Sequence, residues 1–96
     1  KAEAEGIQDG EPIRRSIRII DHNDPNTGLS AMMRMTGYPA AIIARMLASG
    51  EVKAPGARPQ ETVIPAQRML DELVARNVVV ERWTSDPTQP DPGPPA

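Results

Sequence analysis

The chain has 96 residues, of which 39% are hydrophobic and 25% are charged, so the sequence predicts one small folded unit and argues against two domains or bulk disorder. Its 11 basic and 13 acidic residues give a formal net charge of -2, which argues against a nucleic-acid partner. The absence of cysteine excludes disulfides and favours a cytoplasmic compartment, and no apolar run reaches the roughly 20 residues that span a membrane, so no membrane partner is expected.

The first part of the chain is predicted to contain one strand between two irregular segments. Residues 1–12 are polar and contain glycine and proline, which predicts a polar linker; because the chain opens on this stretch with Lys1, it is expected to be a fragment. Residues 13–20, IRRSIRII, alternate in polarity as in a half-buried strand. Residues 21–28, DHNDPNTG, are nearly all turn formers and predict a tight turn.

The clearest helix prediction follows this turn. Ile42, Ile43, Met46 and Leu47 recur at helical spacing on an alanine-rich background. Gly50 is expected to end the helix as its left-handed C′ residue.

The start of this helix is predicted at Thr36. Pro39 has no backbone N–H and disfavours a helical conformation at Tyr38, and both effects are tolerated best in a first helical turn. Thr36 is therefore expected to be the N-cap, with Gly37 in the opening turn. Residues 29–35 are left open as a helical turn or an approaching strand.

The second part of the chain predicts a loop at residues 53–61, a helix from Pro65 and a strand at residues 78–83. Asn77 is expected to take the left-handed conformation after the helix. The apolar stripe of this helix consists of Ala66, Met69, Leu70, Leu73 and Val74. The fold class is thus α+β, a strand-helix-helix-strand unit, and residues 84–96 are predicted to be a proline-rich disordered tail.

No catalytic residue and no metal site are predicted. His22 has carboxylates nearby at Asp21 and Asp24, but adjacent residues in a turn point in different directions, so an Asx turn is the favoured interpretation. Ser30 and Ser49 have no second histidine with which to form a nucleophile-base pair. The sequence contains neither G-x-G-x-x-G nor a P-loop, so the chain is not expected to hold a nucleotide cofactor itself.

A weak binding signal lies at the predicted helix start. Free backbone N–H groups at Thr36 and Gly37 would suit a phosphate or a carboxylate, and the Tyr38 hydroxyl could reach a ligand. Ordinary capping and boundary packing are the favoured interpretation of these three residues.

Two further groups of residues allow a functional and a structural interpretation, and the structural one is favoured for both. The methionines, which could line a pocket, are interpreted as gap-filling core: Met32, Met33, Met35 and Met46. The basic patch, which could meet phosphates, is interpreted as a solvated strand face: Arg14, Arg15 and Arg18.

Several residues along the two predicted helices follow a family pattern. They are Ser30, Met33, Arg34, Thr36, Gly37, Pro39, Ala40, Ala41, Gly50, Pro55 and Gly56. With the later LDELVARNVVV they make residues 10–80 resemble the C-terminal segment of the saccharopine dehydrogenase family. The sequence departs from the family pattern at Met35, Gln60 and Asn77, none of which replaces a catalytic group.

The resemblance implies that residues 13–83 are the C-terminal segment of an NAD- or NADP-dependent oxidoreductase of lysine metabolism. Such enzymes pass a hydride between the nicotinamide and an imine or secondary amine of an amino acid. Their Rossmann domain lies upstream, so this segment is expected to be inactive alone and to have the remainder of the parent chain as its partner. Thr36, Gly37 and Tyr38 would lie near the cleft between the cofactor and substrate domains, without being catalytic.

Two other functions remain as alternatives. The chain could be a stand-alone interaction module that oligomerises through its strand edges, because two strands and two helices form only a small core. A homo-oligomer is expected on the same ground. A winged-helix-like nucleic-acid binder is disfavoured by the charge balance.

Overall fold

The computed structural model describes residues 1–96 and contains three strands and three helices. In chain order they are β1 (Ala2–Gln8), β2 (Glu11–Ile20), α1 (Ala31–Ala48), α2 (Gln60–Val63), α3 (Ala66–Val74) and β3 (Val79–Ser85). This confirms the predicted α+β class. The chain divides into a sheet unit, Lys1–Ile20 with Val79–Ala96, and a helical unit, Asp21–Val78. None of the helices has both the length and the apolar character to cross a membrane.

The sheet unit is an antiparallel sheet in the order β1-β2-β3. The alternation of β2 places Ser16 on one face, where it is 4% exposed, while Ile13 and Ile17 lie half-buried on the other face. Ser16 is paired with Glu3 of β1 and with Trp83 of β3. The two predicted strands are therefore confirmed, and β3 continues two residues beyond its predicted end.

Strand β1 lies in the segment that the sequence assigns to an irregular linker, and the prediction of a loop there is wrong. Asp9 and Gly10 have φ angles of 54° and 83°, and they join Gln8 to Glu11 in a two-residue hairpin. Asp-Gly favours this type of hairpin turn because both central residues need a positive φ. All seven residues of β1 are exposed, so no burial alternation reveals the strand in the sequence.

The proline-rich end of the chain also differs from its prediction in detail. The sequence predicts a disordered tail from residue 84, but Thr84 and Ser85 belong to β3. Residues 86–96, called the tail below, contain no helix or strand. They nevertheless hydrogen-bond to the side chains of Arg14 and Trp83 within the sheet unit.

The helical unit has its own apolar core. Its buried residues come from α1, α3 and the segments that follow them: Ile42, Met46, Val52, Leu73 and Val78. Burying a side chain of this size stabilises the fold by about 1.5–3 kcal/mol. Ile42, Met46 and Leu73 lie where the helical periodicity predicts. Leu47 and Val74 do not, since they are 50% and 54% exposed, because each lies at the edge of its helix's apolar stripe and turns away from the core.

The true start of α1 corrects the prediction that Thr36 is the N-cap. Ser30 is the N-cap, and its hydroxyl oxygen accepts a hydrogen bond from the Met33 N–H at 3.2 Å. Pro39 consequently lies inside the helix. The missing hydrogen bond at proline is local, whereas the cap and the buried positions act along the whole helix, so the helix continues through Pro39.

The predicted ends of the two long helices are confirmed. Gly50 follows α1 with φ 77°, and Asn77 follows α3 with φ 63°, both in the left-handed region. The loop predicted between the helices contains one additional element, the single turn α2. The Thr62 hydroxyl donates a hydrogen bond to the Pro59 carbonyl oxygen at 2.8 Å within this turn.

Candidate functional site

The family resemblance implies three residues near a cleft, Thr36, Gly37 and Tyr38. They do not form the anion-binding site that the sequence suggests. Thr36, Gly37 and Tyr38 lie in the second turn of α1 and not at its start, so they offer no free helix-terminal N–H groups. Their side chains also diverge. Thr36 lines a surface groove, an added Cβ at Gly37 would meet open space, and Tyr38 packs against the helical core.

A cluster of polar side chains surrounds Arg34, which is only 6% exposed. Its Nε donates to Asp21 Oδ2 at 2.8 Å, and its Nη1 lies 3.5 Å from Asp24 Oδ2 and 3.3 Å from the Tyr38 hydroxyl. Its Nη2 donates to the carbonyl oxygen of Arg76 at 2.9 Å. We call these five residues the Arg34 cluster. Every nitrogen of the buried guanidinium has a partner in the chain, as a buried charge requires.

Both carboxylates of the Arg34 cluster are held in the ionised form. The hydrogen bond from Arg34 lowers the pKa of Asp21, whose side chain is 5% exposed. Hydrogen bonds from the Asn26 N–H and the Thr27 hydroxyl lower the pKa of Asp24. Because these groups are ionised and engaged, the cluster fastens a turn to two helices and has no residue available as a general acid or base.

Tyr38 is held between two cations. The guanidinium carbon of Arg34 lies 5.0 Å from the centre of its ring, and that of Arg76 lies 5.9 Å away. Both distances fit cation–π contacts. The tyrosine is therefore fixed by its neighbours, which accounts for its half-buried position without any ligand.

A groove of about 620 Å³ runs along the outer side of α1. No charged residue lines it: its lining consists of Met35, Thr36, Pro39, Ala40, Ile43, Ala44, Leu47 and Gln60. Met32, at the start of the same helix, is 80% exposed. We call this surface the α1 groove. Exposed apolar surface of this kind is typical of a contact with another protein surface.

The methionines divide between this outer side and the core, so the prediction that all four form core is only partly correct. Met46 is buried and Met35 packs against the core cluster. Met32 and Met33 are 80% and 59% exposed, respectively. The sequence shows apolar residues on two sides of α1, and periodicity does not tell which side the fold covers.

A second, charged cavity of about 250 Å³ lies between α1 and α3. Arg68 occupies much of its polar lining, with its guanidinium 2.9 Å from Glu51 and 2.5 Å from Glu72. Hydrogen bonds from Arg76 and Arg68 lower the pKa of Glu72. Both carboxylates of the lining, Glu51 and Glu72, are therefore engaged in ion pairs.

The other predicted groups serve structural roles. Asp24 accepts hydrogen bonds from Asn26 and Thr27, as the predicted Asx turn requires, and His22 is exposed. No group of three histidine, cysteine or acidic side chains is placed to hold a metal ion. The basic patch is paired within the sheet, since its arginines contact Glu5, Gln8 and Glu81, respectively. The interpretation of a solvated strand face is only partly correct, because Arg15 is exposed whereas Arg14, on the other face, is 13% exposed.

The residues at the start of α1 do not fit the phosphates of a nucleotide cofactor. The N–H of Ala31 donates to Asn23 Oδ1 at 3.1 Å, that of Met33 to the Ser30 hydroxyl, and that of Arg34 to the Ser30 carbonyl. A phosphate site at a helix start needs several free N–H groups and close backbone approach. Three of the N–H groups at this helix start are thus already bonded within the chain.

Sequence reasoning missed the Arg34 cluster and the α1 groove. In the sequence, Arg34 is marked only as part of the family pattern. A positive residue on a predicted helix, preceded by an acid-rich turn at Asp21 and Asp24, was the available signal for the cluster. For the groove, the available signal was that Ile43 and Leu47 lie beside the core positions Ile42 and Met46 and widen the apolar surface of the helix.

Comparison with known protein families gives one match. The family model for the saccharopine dehydrogenase C-terminal domain matches residues 1–79. The match includes β1, β2 and all three helices, and it ends at the first residue of β3. No solved structure matches the chain.

Proposed function

Because the chain belongs to the saccharopine dehydrogenase C-terminal domain family, we propose that it is the C-terminal domain of a larger saccharopine dehydrogenase-like oxidoreductase. In this proposal the parent enzyme passes a hydride between NAD or NADP and an imine or secondary amine of an amino acid, in the lysine metabolism of the cytoplasm. The isolated domain is inactive, and it contributes surface and rigidity to the parent enzyme. The rest of the parent chain holds the cofactor.

The α1 groove is the observation that supports this role. It is uncharged, it includes Thr36, and it lies on the helix whose residues follow the family pattern. A domain that ends a longer polypeptide needs a surface on which the preceding domains dock, and an exposed apolar groove meets that need. We therefore assign the remainder of the parent chain as the occupant of the groove.

The three cleft residues take separate roles in this proposal. Thr36 contacts the docked surface directly because it lines the groove. Gly37 leaves open space above the helix, so a neighbouring backbone could approach it closely. Tyr38 acts indirectly, because the Arg34 cluster holds its side chain in place and thereby fixes the second turn of α1. None of the three is a catalytic residue.

The test uses one substitution at two places on the same helix of the full-length parent polypeptide. Ala44→Glu introduces a charge into the α1 groove, whereas Ala41→Glu introduces the same charge at an exposed position outside it. We expect Ala44→Glu to lower NAD(P)-dependent amine oxidation about tenfold or more, because it buries an unpaired charge at a docked surface. Ala41→Glu should change the rate by less than about twofold, as for a surface substitution. Equal effects of the two variants would contradict the docking role.

A second candidate function is supported by β1. This strand lies at the edge of the sheet, and all seven of its residues are exposed. An exposed edge strand favours pairing with another strand, so the chain could act as an interaction module that forms a homo-oligomer through β1. Sedimentation velocity of the isolated chain tests this, with a dimer expected at high concentration and a monomer at millimolar concentration counting against it.

A further inference from the structure

The sheet face that carries Trp83 is covered by the proline-rich tail of the same chain. Trp83 is 9% exposed, and its indole Nε1–H donates a hydrogen bond to Asp91 Oδ1 at 2.6 Å. The Lys1 ammonium pairs with the same carboxylate and lies 5.3 Å from the centre of the Trp83 ring. An aspartate of the tail is thus held by an indole donor and a cation at one place on the sheet.

Arg14 holds the tail at a second place, through its backbone. The Arg14 Nη2 donates to the Pro87 carbonyl oxygen at 2.9 Å, and its Nη1 donates to the Gln89 carbonyl oxygen at 3.2 Å. Its Nε is paired with Glu5 at 2.9 Å, which fixes the direction of the guanidinium. The Arg14 side chain is 13% exposed. These contacts bind backbone carbonyl oxygens of a turn that the Gln89 N–H closes on the Asp86 carbonyl oxygen at 3.2 Å, and they do not involve the turn's side chains.

The chemistry of the two contacts matches the recognition of proline-rich peptides. A proline-rich segment has few backbone N–H donors, so many of its carbonyl oxygens are free to accept hydrogen bonds from a protein. Aromatic side chains on a flat surface dock prolines, and the stiff segment loses little conformational entropy on binding. The tail has prolines on both sides of Asp91, at positions 87, 90, 92, 94 and 95.

One polar group beside this face is not satisfied by the tail. Ser85 is paired with Arg14 in the sheet register, so their side chains share a face. The Ser85 hydroxyl oxygen is buried and has no hydrogen-bond partner. Buried hydroxyls are normally hydrogen-bonded, so the tail fits the face without using all of its polar groups.

We propose that Lys1, Arg14 and Trp83 form a recognition site for a proline-rich peptide that carries a carboxylate. The tail occupies this site in cis, and a partner peptide of the same chemistry displaces it in trans. The inference does not depend on the proposed enzymatic role, because it rests on the contacts of the tail alone; Trp83 and the tail lie beyond the family match, whereas Lys1 and Arg14 lie within it. A failure of one proposal leaves the other in place.

The chain provides its own reporter for the test, since Trp83 is its only tryptophan. The full chain carrying Asp91→Ala, which weakens the cis contact, is titrated with a synthetic peptide of residues 86–96. We expect a saturable shift in Trp83 emission, with an apparent Kd at least about tenfold lower than for the unmodified chain, whose tethered tail competes at a millimolar effective concentration.

Two altered peptides make the test specific. A peptide with Asp91→Ala should bind at least about tenfold more weakly, because it loses a charge-assisted hydrogen bond and an ion pair. A peptide with Gln89→Ala is the matched control and should bind like the original, since Arg14 contacts only the backbone carbonyl of Gln89. Equal binding of all three peptides, or no change in emission at millimolar peptide, would overturn the proposal.

A second measurement is used if circular dichroism shows that the Asp91→Ala chain does not fold. The unmodified chain, labelled with ¹⁵N, is mixed with the same peptide at millimolar concentration. The backbone amide resonances of Thr88 and Gln89 in the labelled tail should shift with increasing unlabelled peptide, because the peptide displaces the tail, and they should not shift in the Arg14→Lys chain, which loses the two-pronged donor. Unmoved tail resonances in the unmodified chain overturn the proposal.

Discussion

The helical unit and the sheet unit stabilise their charged side chains in different ways. The helical unit buries Arg34 at 6% exposure beside an apolar core, and every nitrogen of its guanidinium has a partner. The sheet unit instead pairs Arg18 with Glu81 and Arg14 with Glu5 at partly exposed positions, and its one large buried side chain is Trp83. Burial stabilises the helical unit, whereas solvent-accessible ion pairs and the tail stabilise the sheet unit. Ion pairs that solvent can reach weaken as the salt concentration rises.

The family match does not follow this division, because it includes β1 and β2 of the sheet unit as well as the helical unit. The family match includes the whole helical unit, from residue 21 to residue 78, and stops at the start of β3. The Arg34 cluster and the α1 groove therefore lie in the family-like region. Trp83 and the tail lie outside it, whereas their partners Lys1 and Arg14 lie within it.

The largest effect is expected from the core of the helical unit. Ile42 is 2% exposed, so Ile42→Ala removes apolar contacts and leaves a cavity. We expect the free energy of unfolding to fall by about 3 kcal/mol, measured by urea denaturation. Met32→Ala, at 80% exposure on the same helix, is the control and should change it by less than about 0.5 kcal/mol. A small effect at Ile42 would mean that the core is not where the structure places it.

The next effect is expected from the buried charge. Arg34→Leu leaves the carboxylates of Asp21 and Asp24 without their cation in a partly buried site. We expect the melting temperature to fall by about 10 °C in a calorimetric scan, since breaking a buried ion pair is strongly destabilising. Arg15→Leu, at an exposed position of the sheet unit, should lower it by no more than about 3 °C. Equal losses would remove the contrast between the two units.

Acid should release the tail. Hydrogen bonds from Lys1 and Trp83 lower the pKa of Asp91 from 3.8 to about 2. A lowered folded-state pKa means that the contribution of Asp91 is complete above its ordinary pKa and is lost as pH falls from 3.8 toward 2. Trp83 emission should shift toward that of exposed tryptophan over this range. The Asp91→Asn chain should lack this step, and a step of the same size in that variant would assign the titration to another group.

The smallest effect distinguishes the observed N-cap from the predicted one. Ser30→Ala removes the side-chain acceptor for the Met33 N–H and should destabilise the chain by about 1 kcal/mol. Thr36→Ala should have an effect under about 0.5 kcal/mol, because Thr36 is an exposed residue inside the helix. Chemical denaturation of both variants measures the difference, and the reverse order would restore Thr36 as the start of α1.

Periodicity predicts the elements that have one covered face. Strand β2 and helix α3 follow from alternation and from the spacing of residues such as Met69 and Leu73, because burial imposes those periods. Strand β1 escapes prediction because it is exposed throughout, so its sequence needs no alternation. The sequence misplaces the N-cap because Pro39 favours a helix start near Thr36, whereas the Ser30 cap and the buried positions extend the helix beyond it.

The candidate site was less predictable than the fold. The Arg34 cluster joins Asp21 to Arg76, residues that are 55 positions apart (76 − 21), so only the folded chain brings them together. The contacts of Arg14 with tail carbonyls are likewise invisible to residue patterns, since they use the backbone of the tail. Local signals identify helices and turns, whereas these sites depend on tertiary contacts.

The proposed role as one domain of a larger oxidoreductase is tested most directly by the mass of the native polypeptide. An antibody against residues 78–83 would detect it in an extract of the source cells. The account predicts a band several times heavier than 10.4 kDa, the mass of this chain. A single band near 10.4 kDa would contradict it and would favour the stand-alone interaction module.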